Sequence, residues 1–136
     1  MKHLEVVAAI LIFNKKVLCM QRGIGKYSYL DYKYEFPGGK VEQNETREAA
    51  LMRELDEELG IKTSISEDDF FLTINYTYPD FSITMHNYLV PLTSDFFIQK
   101  EHVDHKWLHT SELRSLDWAS ADIQIIDELE KVSFDD

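Results

Sequence analysis

Glu54, Glu57 and Glu58 are spaced at i, i+3 and i+4. On a helix of about 100° per residue they fall within an arc of roughly 100°. Ala50 and Arg47 share that face and Arg53 borders it, while Leu51, Met52, Leu55 and Leu59 take a neighbouring face that can pack on a sheet. A solvated charged face is the ordinary reading of such a helix. Here like charges at i+3 and i+4 repel, and little basic compensation lies inside the arc. Carboxylates so grouped suit Mg²⁺ or Mn²⁺, hard cations that prefer oxygen and keep water and phosphate as ligands. The preceding Pro37-Gly38-Gly39 can bring a backbone carbonyl to the same ion, because glycine has no Cβ in the way.

These side chains need a frame. Residues 44–60 (NETREAALMRELDEELG) predict the clearest helix, with Asn44 as N-cap and Gly60 as stop. Val6–Phe13 (VVAAILIF) is an uninterrupted apolar run that predicts a strand buried on both faces. Asn14-Lys15-Lys16 then turns the chain into a second strand, Val17–Gln21. Residues 23–33 (GIGKYSYLDYK) have no period and read as a loop, a candidate mobile one. Tyr34-Glu35-Phe36 is a short strand ended by the Pro-Gly-Gly. Beyond the helix, 61–65 reads as a short strand or loop, Phe70–Tyr78 and Ser82–Leu92 as a hairpin around Pro79-Asp80, and His105–Leu108 as another short strand. Thr110-Ser111-Glu112 can cap a short helix. Ala121–Lys131 predicts the last helix, with Ile123, Ile125, Ile126 and Leu129 available for the core. The order strands, helix, strands, helix implies an α+β fold with a mixed sheet between helices.

The chain has 136 residues with 14 Lys and Arg against 25 Asp and Glu, a net charge of −11. That length suits a single domain, 1–136. The acidic balance excludes a nucleic acid polymer as partner, because such binding is dominated by cationic side chains on phosphates. It does not exclude a small phosphorylated ligand accompanied by a metal ion. The one cysteine, Cys19, sits in an apolar run and reads as a buried small hydrophobe. No stretch is long enough to span a membrane, so a cytoplasmic protein without a membrane partner is expected. His102, His105 and His109 are loosely spaced and lack cysteine partners, so they read as surface histidines and not as zinc ligands.

Gly39…Glu45…Arg53-Glu54-Leu55-x-Glu57-Glu58-x-Gly60-Ile61 matches the whole pattern G-x5-E-x7-R-E-U-x-E-E-x-G-U, where U is apolar. In this the chain resembles the Nudix hydrolase family. Glu35-Phe36-Pro37-Gly38-Gly39-Lys40, Gln21-Arg22, Tyr78-Pro79-Asp80, Lys100-Glu101 ahead of Trp107, and Leu116-Asp117-Trp118-Ala119-x-Ala121-Asp122 extend the resemblance to MutT-like members. Among these it is similar to the CTP pyrophosphohydrolase and 8-oxo-dGTP diphosphatase types, and the closing segment leans to the former.

The resemblance implies an α/β/α sandwich and hydrolysis of a nucleoside triphosphate to monophosphate and pyrophosphate, with Mg²⁺ or Mn²⁺. Gly38, Glu54, Glu57, Glu58 and Glu101 would be the metal site. Arg53 would orient the glutamates, with Glu45 pairing to it or supporting the helix start. Glu54 is the first choice to take a proton from water and Glu101 the second; Glu57 and Arg53 belong to the same catalytic set. Substrate binding falls to Arg22, Glu35, Phe36, Pro37, Gly38, Tyr78, Phe81 and Asp122. Asp122 stands where MutT has Asn. As an ionised carboxylate it only accepts hydrogen bonds, which would suit an exocyclic amine such as that of cytosine. The alternatives are another nucleoside diphosphate derivative, such as ADP-ribose or a dinucleoside polyphosphate, as substrate, or a non-catalytic nucleotide-sensing module. A monomer or homodimer is expected.

Overall fold

The run VVAAILIF lies at the centre of a long strand, β1 (Lys2–Phe13). Its side chains alternate between two cores, as a strand's period of two requires. Val7, Ala9 and Leu11 join Leu51, Leu55 and Leu59 of helix α1 (Arg47–Leu59). Ala8 and Ile10 join Ile125, Ile126 and Leu129 of helix α2 (Ile123–Leu129). A helix therefore covers each face of the sheet, which is the expected α/β/α sandwich. The computed structural model describes residues 1–132 and 134; of the expected 1–136 domain, positions 133, 135 and 136 lie outside the described residues. No helix among the described residues is long and apolar enough to cross a membrane.

The remaining strands are β2 (Lys16–Gln21), β3 (Tyr34–Glu35), β4 (Gly38–Lys40), β5 (Phe70–Thr77), β6 (Phe81–Pro91) and β7 (Asp104–Leu108). The order is β3-β2-β1-β6-β5, with β4 added to β1 and β7 to β2. The sheet is mixed: β1 runs parallel to β6, from Lys2↔Phe81 to Ile12↔Pro91, and the other pairs are antiparallel. Asn14 and Lys15, with φ of 53° and 66°, make the tight turn into β2, the left-handed geometry that two-residue hairpins favour.

One irregularity makes the site possible. β1 and β2 pair only at Ile12↔Val17 and Phe13↔Lys16 before they part. β2 goes on to pair with β3, and β1 with β4. Residues 34–40 thus occupy the fork between the two strands, and the Ala9 N–H donates to the Pro37 carbonyl at 2.8 Å. Gly38 and Gly39, expected to end the strand, are themselves strand residues because this fork gives their backbone a ladder to join.

Other boundaries differ from expectation for local reasons. The cap of α1 is Thr46, whose hydroxyl accepts from the Ala49 N–H at 3.1 Å. Asn44 takes a left-handed φ of 67° two residues earlier. Gly60 ends the helix as expected, with φ 66° and its N–H on the Asp56 carbonyl. Residues 61–65 form no strand; Ile61 and Ile65 fill the α1-side core from a loop. Residues 110–115 form a 3-10 turn in place of the short helix, and another, Ser120–Asp122, precedes α2. Ile123 is 43% exposed; it lies roughly 115° around the helix from the centre of the inward Ile125, Ile126 and Leu129. Cys19 is fully buried, and burial pushes its thiol up to about 12.

Candidate active site

Arg53 organises the acidic face of α1. Its Nε and Nη2 donate to Glu45 at 2.7 and 2.9 Å, Nη1 to Glu54 at 2.9 Å and Glu57 at 3.3 Å, and Nη2 also to the Lys40 carbonyl at 3.1 Å. A guanidinium has five N–H donors, and here each has an acceptor. Arg53 so ties the turn before the helix to the glutamates on it. The hydrogen bonds from Arg53 hold the Glu45 carboxyl down to about 2, and the backbone N–H of Glu42 assists. Glu45 therefore pairs with Arg53, the first of its two expected roles.

The other carboxylates behave differently. Burial raises Glu54, against the pull of Arg53. Burial first, then the charges of Glu54, Glu35, Glu101 and Glu57, push Glu58 up to about 8. Glu58 Oε2 is buried with no hydrogen-bond partner. Four carboxylates thus repel a fifth, Glu58, which the protein leaves unsatisfied. A hard dication would relieve both conditions, and the oxygen-only donor set fits one. As the side chains stand, no three described carboxylates or imidazoles enclose a common point; Arg53 holds Glu54 and Glu57 on its own nitrogens.

Beside this face opens a cleft of about 530 Å³. It brings together Arg22, Glu35, Phe36, Gly38, Tyr78, Phe81, Glu58, Glu101 and Asp122 from the predicted set. Glu54 reaches its edge by lying against Gly39, which lines it. Pro37 is behind the wall, engaged with Ala9, and Glu57 is 60% exposed on the outer side of Arg53. Lys2, Lys26 and Lys40 add positive charge to the lining.

At the inner end Asp122 is wholly buried, and its Oδ2 accepts from the Phe36 N–H at 3.0 Å. Burial first, then the charge of Glu35, pushes its carboxyl up to about 8. The sequence reading of Asp122 as an ionised group that only accepts is therefore corrected: near neutral pH it carries a proton and can donate as well. Phe81 and Tyr78, both expected to bind substrate, pack on each other with ring centroids 5.1 Å apart. Phe81 also meets Tyr27 and Tyr78 meets Tyr29, so the 23–33 loop is fastened to the hairpin by rings and by the Tyr29 hydroxyl on Asp80. The Tyr78 hydroxyl accepts from the Ala121 N–H. These rings build the wall of the cleft.

His102 is the residue the sequence reading missed. Its side chain is 6% exposed, lines the cleft, and sets Nε2 2.9 Å from Glu35 Oε2. The surface reading fails for it because Glu35 lies 67 positions away in sequence, and no local pattern reports such a partner.

Comparison with known proteins agrees with this geometry. The NUDIX domain family model matches residues 2–129. The chain is 34% identical over 134 residues to the 8-oxo-dGTP diphosphatase of Buchnera aphidicola (subsp. Schizaphis graminum), covering 98% of each chain. It is 35% identical over 127 residues to the CTP pyrophosphohydrolase of Escherichia coli K12, covering 93% of this chain and 91% of that one. The solution structure of the Escherichia coli ORF135 protein superposes with a TM-score of 0.80 at 32% identity, covering 96% of this chain and 91% of that one. With its complete acidic helix, its glycine strand beside Glu54 and a match across nearly its whole length, the chain belongs to the Nudix hydrolase family.

Proposed function

We propose that this chain is a nucleoside triphosphate pyrophosphohydrolase. It would release monophosphate and pyrophosphate from ribo- and deoxyribonucleotides, CTP-like or oxidised ones among them, with residues 1–136 acting as a single domain. The observation that carries the reading is the buried, unpartnered Glu58 oxygen among four repelling carboxylates at the mouth of a cleft lined by Arg22 and lysines. The names borne by the Buchnera and Escherichia coli relatives support it.

Glu54, Glu57, Glu58, Glu101 and the Gly38 carbonyl would hold Mg²⁺ or Mn²⁺, which neutralises phosphate charge and makes the leaving phosphate a better one. The chain's own contribution is positioning and proton transfer. Arg53 fixes Glu54 through Oε1, and Oε2 remains to accept a proton from the attacking water. Burial of Glu54 makes it a stronger base than an exposed carboxylate. Glu101, on a loop outside the helix, is the second candidate for that proton. Arg22 and the lining lysines draw the phosphates inward.

The base end is set by Phe36 and Asp122. With Oδ2 held by the Phe36 N–H, the Asp122 carboxyl offers both a donor and an acceptor to the base edge. A cytosine edge and an oxidised guanine edge each have groups to meet it. The same proposal places the protein in the cytoplasm as a monomer or homodimer acting on free nucleotides, with neither a nucleic acid polymer nor a membrane as partner.

The test is turnover with Mg²⁺, read as release of pyrophosphate from CTP, dCTP and 8-oxo-dGTP, of AMP and ribose 5-phosphate from ADP-ribose, and of nucleotide products from a dinucleoside polyphosphate. Wild type should release pyrophosphate from the triphosphates, and Glu57→Gln should be slower by on the order of 100-fold. Equal turnover by both overturns the metal-site assignment. No turnover of any nucleotide by wild type turns the reading to a sensing module.

A further inference from the structure

Glu101 lies in the stretch 92–103, which joins β6 to β7 without regular structure. No strand ladder positions its backbone. The stretch is instead fastened at several points, four of which flank Glu101. The Ile98 N–H donates to the Leu59 carbonyl at 2.8 Å, Lys100 Nζ to the Glu57 carbonyl at 3.2 Å, and the Val103 N–H to the Gln21 carbonyl at 2.9 Å. The fourth is the buried pair between His102 and Glu35.

That fourth contact is the one that faces the cleft. Glu35 is fully engaged: Arg22 Nη1 holds Oε1 at 3.0 Å, and His102 Nε2 holds Oε2 at 2.9 Å. A carboxylate only accepts, so Nε2 carries the proton. The His102 Nδ1 atom is buried without a partner. A side chain that merely filled space here would do better apolar, because a buried polar atom without a partner is costly.

Resting on the proposed hydrolase reading, we propose that His102 is a positioning residue. It clamps the Glu101 loop to Glu35 and thereby holds Glu101 over the glutamates of α1, while Arg22 holds the other side of the same carboxylate. Glu35 is then the strut that links the nucleotide end of the cleft to its acidic end, and not a direct contact to the base. The charge of Glu101 felt at both Glu54 and Glu58 is consistent with this placement.

The experiment uses the full chain with His102→Leu, His102→Gln and His102→Asn, each also combined with Glu101→Gln. Mn²⁺ affinity is read by electron paramagnetic resonance titration without substrate, and kcat and KM by pyrophosphate release. H102L should weaken Mn²⁺ binding and lower kcat by about 10-fold to 100-fold, the range for residues that orient metal ligands. H102Q, which keeps an N–H near the Nε2 position, should recover most of both; H102N, which is too short, should not. In the E101Q background H102L should cost nothing further, since both act on one group. Unchanged Mn²⁺ affinity in H102L, or full additivity with E101Q, overturns the proposal. Should H102L fail to fold, equal behaviour of H102N and H102Q overturns it. The Mn²⁺ titration decides these points even if wild type hydrolyses none of the nucleotides, a result that would sink the hydrolase reading alone.

Discussion

The Glu54 carboxyl rests against the bare Cα of Gly39: a Cβ at position 39 would stand 2.3 Å from its carboxyl carbon and 2.6 Å from both oxygens. That obstruction is the mobile end of a side chain, so Gly39→Ala should be accommodated by displacing Glu54. The fold should survive with a nearly unchanged Tm, and kcat should fall on the order of 10-fold to 100-fold. Gly38 is a different case, because its Cβ would meet the Val7 carbonyl oxygen at 1.9 Å and Ala8 Cα at 2.7 Å, both in the backbone of β1. Gly38→Ala should lose several kcal/mol of stability. Thermal melts beside activity assays separate the two; similar Tm losses would contradict the distinction.

Arg53→Lys keeps the charge and loses the fork. A lysine has three donors on one nitrogen and cannot serve Glu45, Glu54, Glu57 and the Lys40 carbonyl together. kcat should drop on the order of 100-fold with KM changed little, because the substrate end of the cleft is untouched. A loss confined to KM would show that Arg53 serves binding instead.

Glu58 predicts how metal-free stability responds to pH. The folded protein holds its proton up to about pH 8, whereas the unfolded chain releases it near 4.5. The folded state carries the extra proton in between, so stability is full below that window and declines as pH rises through it. Asp122 adds a parallel decline. Metal-free Tm should fall between pH 5 and 8, less steeply in Glu58→Gln. Stabilisation by Mg²⁺ should grow with pH in wild type and lose that growth in the variant. A flat wild-type profile would refute the assignment.

Asp122→Asn replaces a protonated carboxyl by a group with the same donor and acceptor capacity. It should fold normally and match wild type within a few fold at pH 7. Wild-type kcat/KM should fall as Asp122 ionises above about pH 8, and the variant should keep its activity there. Parallel pH profiles for the two would show that Asp122 does not titrate in the working range.

Much of this was legible in the chain itself. The uninterrupted run from Val6 to Phe13 announced a strand covered on both faces, and the leucines of α1 announced which side of that helix turns inward. The glutamate spacing announced the acidic face, since helical geometry alone places those side chains together. Three of the failures share a cause: each depends on a part of the chain distant in sequence. His102 reads as a surface residue until Glu35 is placed beside it. Asp122 reads as an ionised acceptor until burial keeps its proton on. Gly38 and Gly39 read as the end of a strand until the fork between β1 and β2 offers them a ladder. Thr46 displaced Asn44 as cap for a local reason, the reach of one hydroxyl to the Ala49 N–H.

The parallel pairing of β1 with β6 bears on how the molecule is made. Partners along that seam are 79 positions apart, and β1 also carries β4, the glycine strand beneath Glu54. Joining such distant segments is slow, because the intervening loop must close before any contact rewards it. A chain still emerging from the ribosome can form the β1–β2 hairpin and α1 early, yet it lacks the β5–β6 wall until its second half is complete. Along the chain the residues of the acidic face come before those of the β5–β6 wall, so the cleft is complete only when the second half of the chain docks on the first.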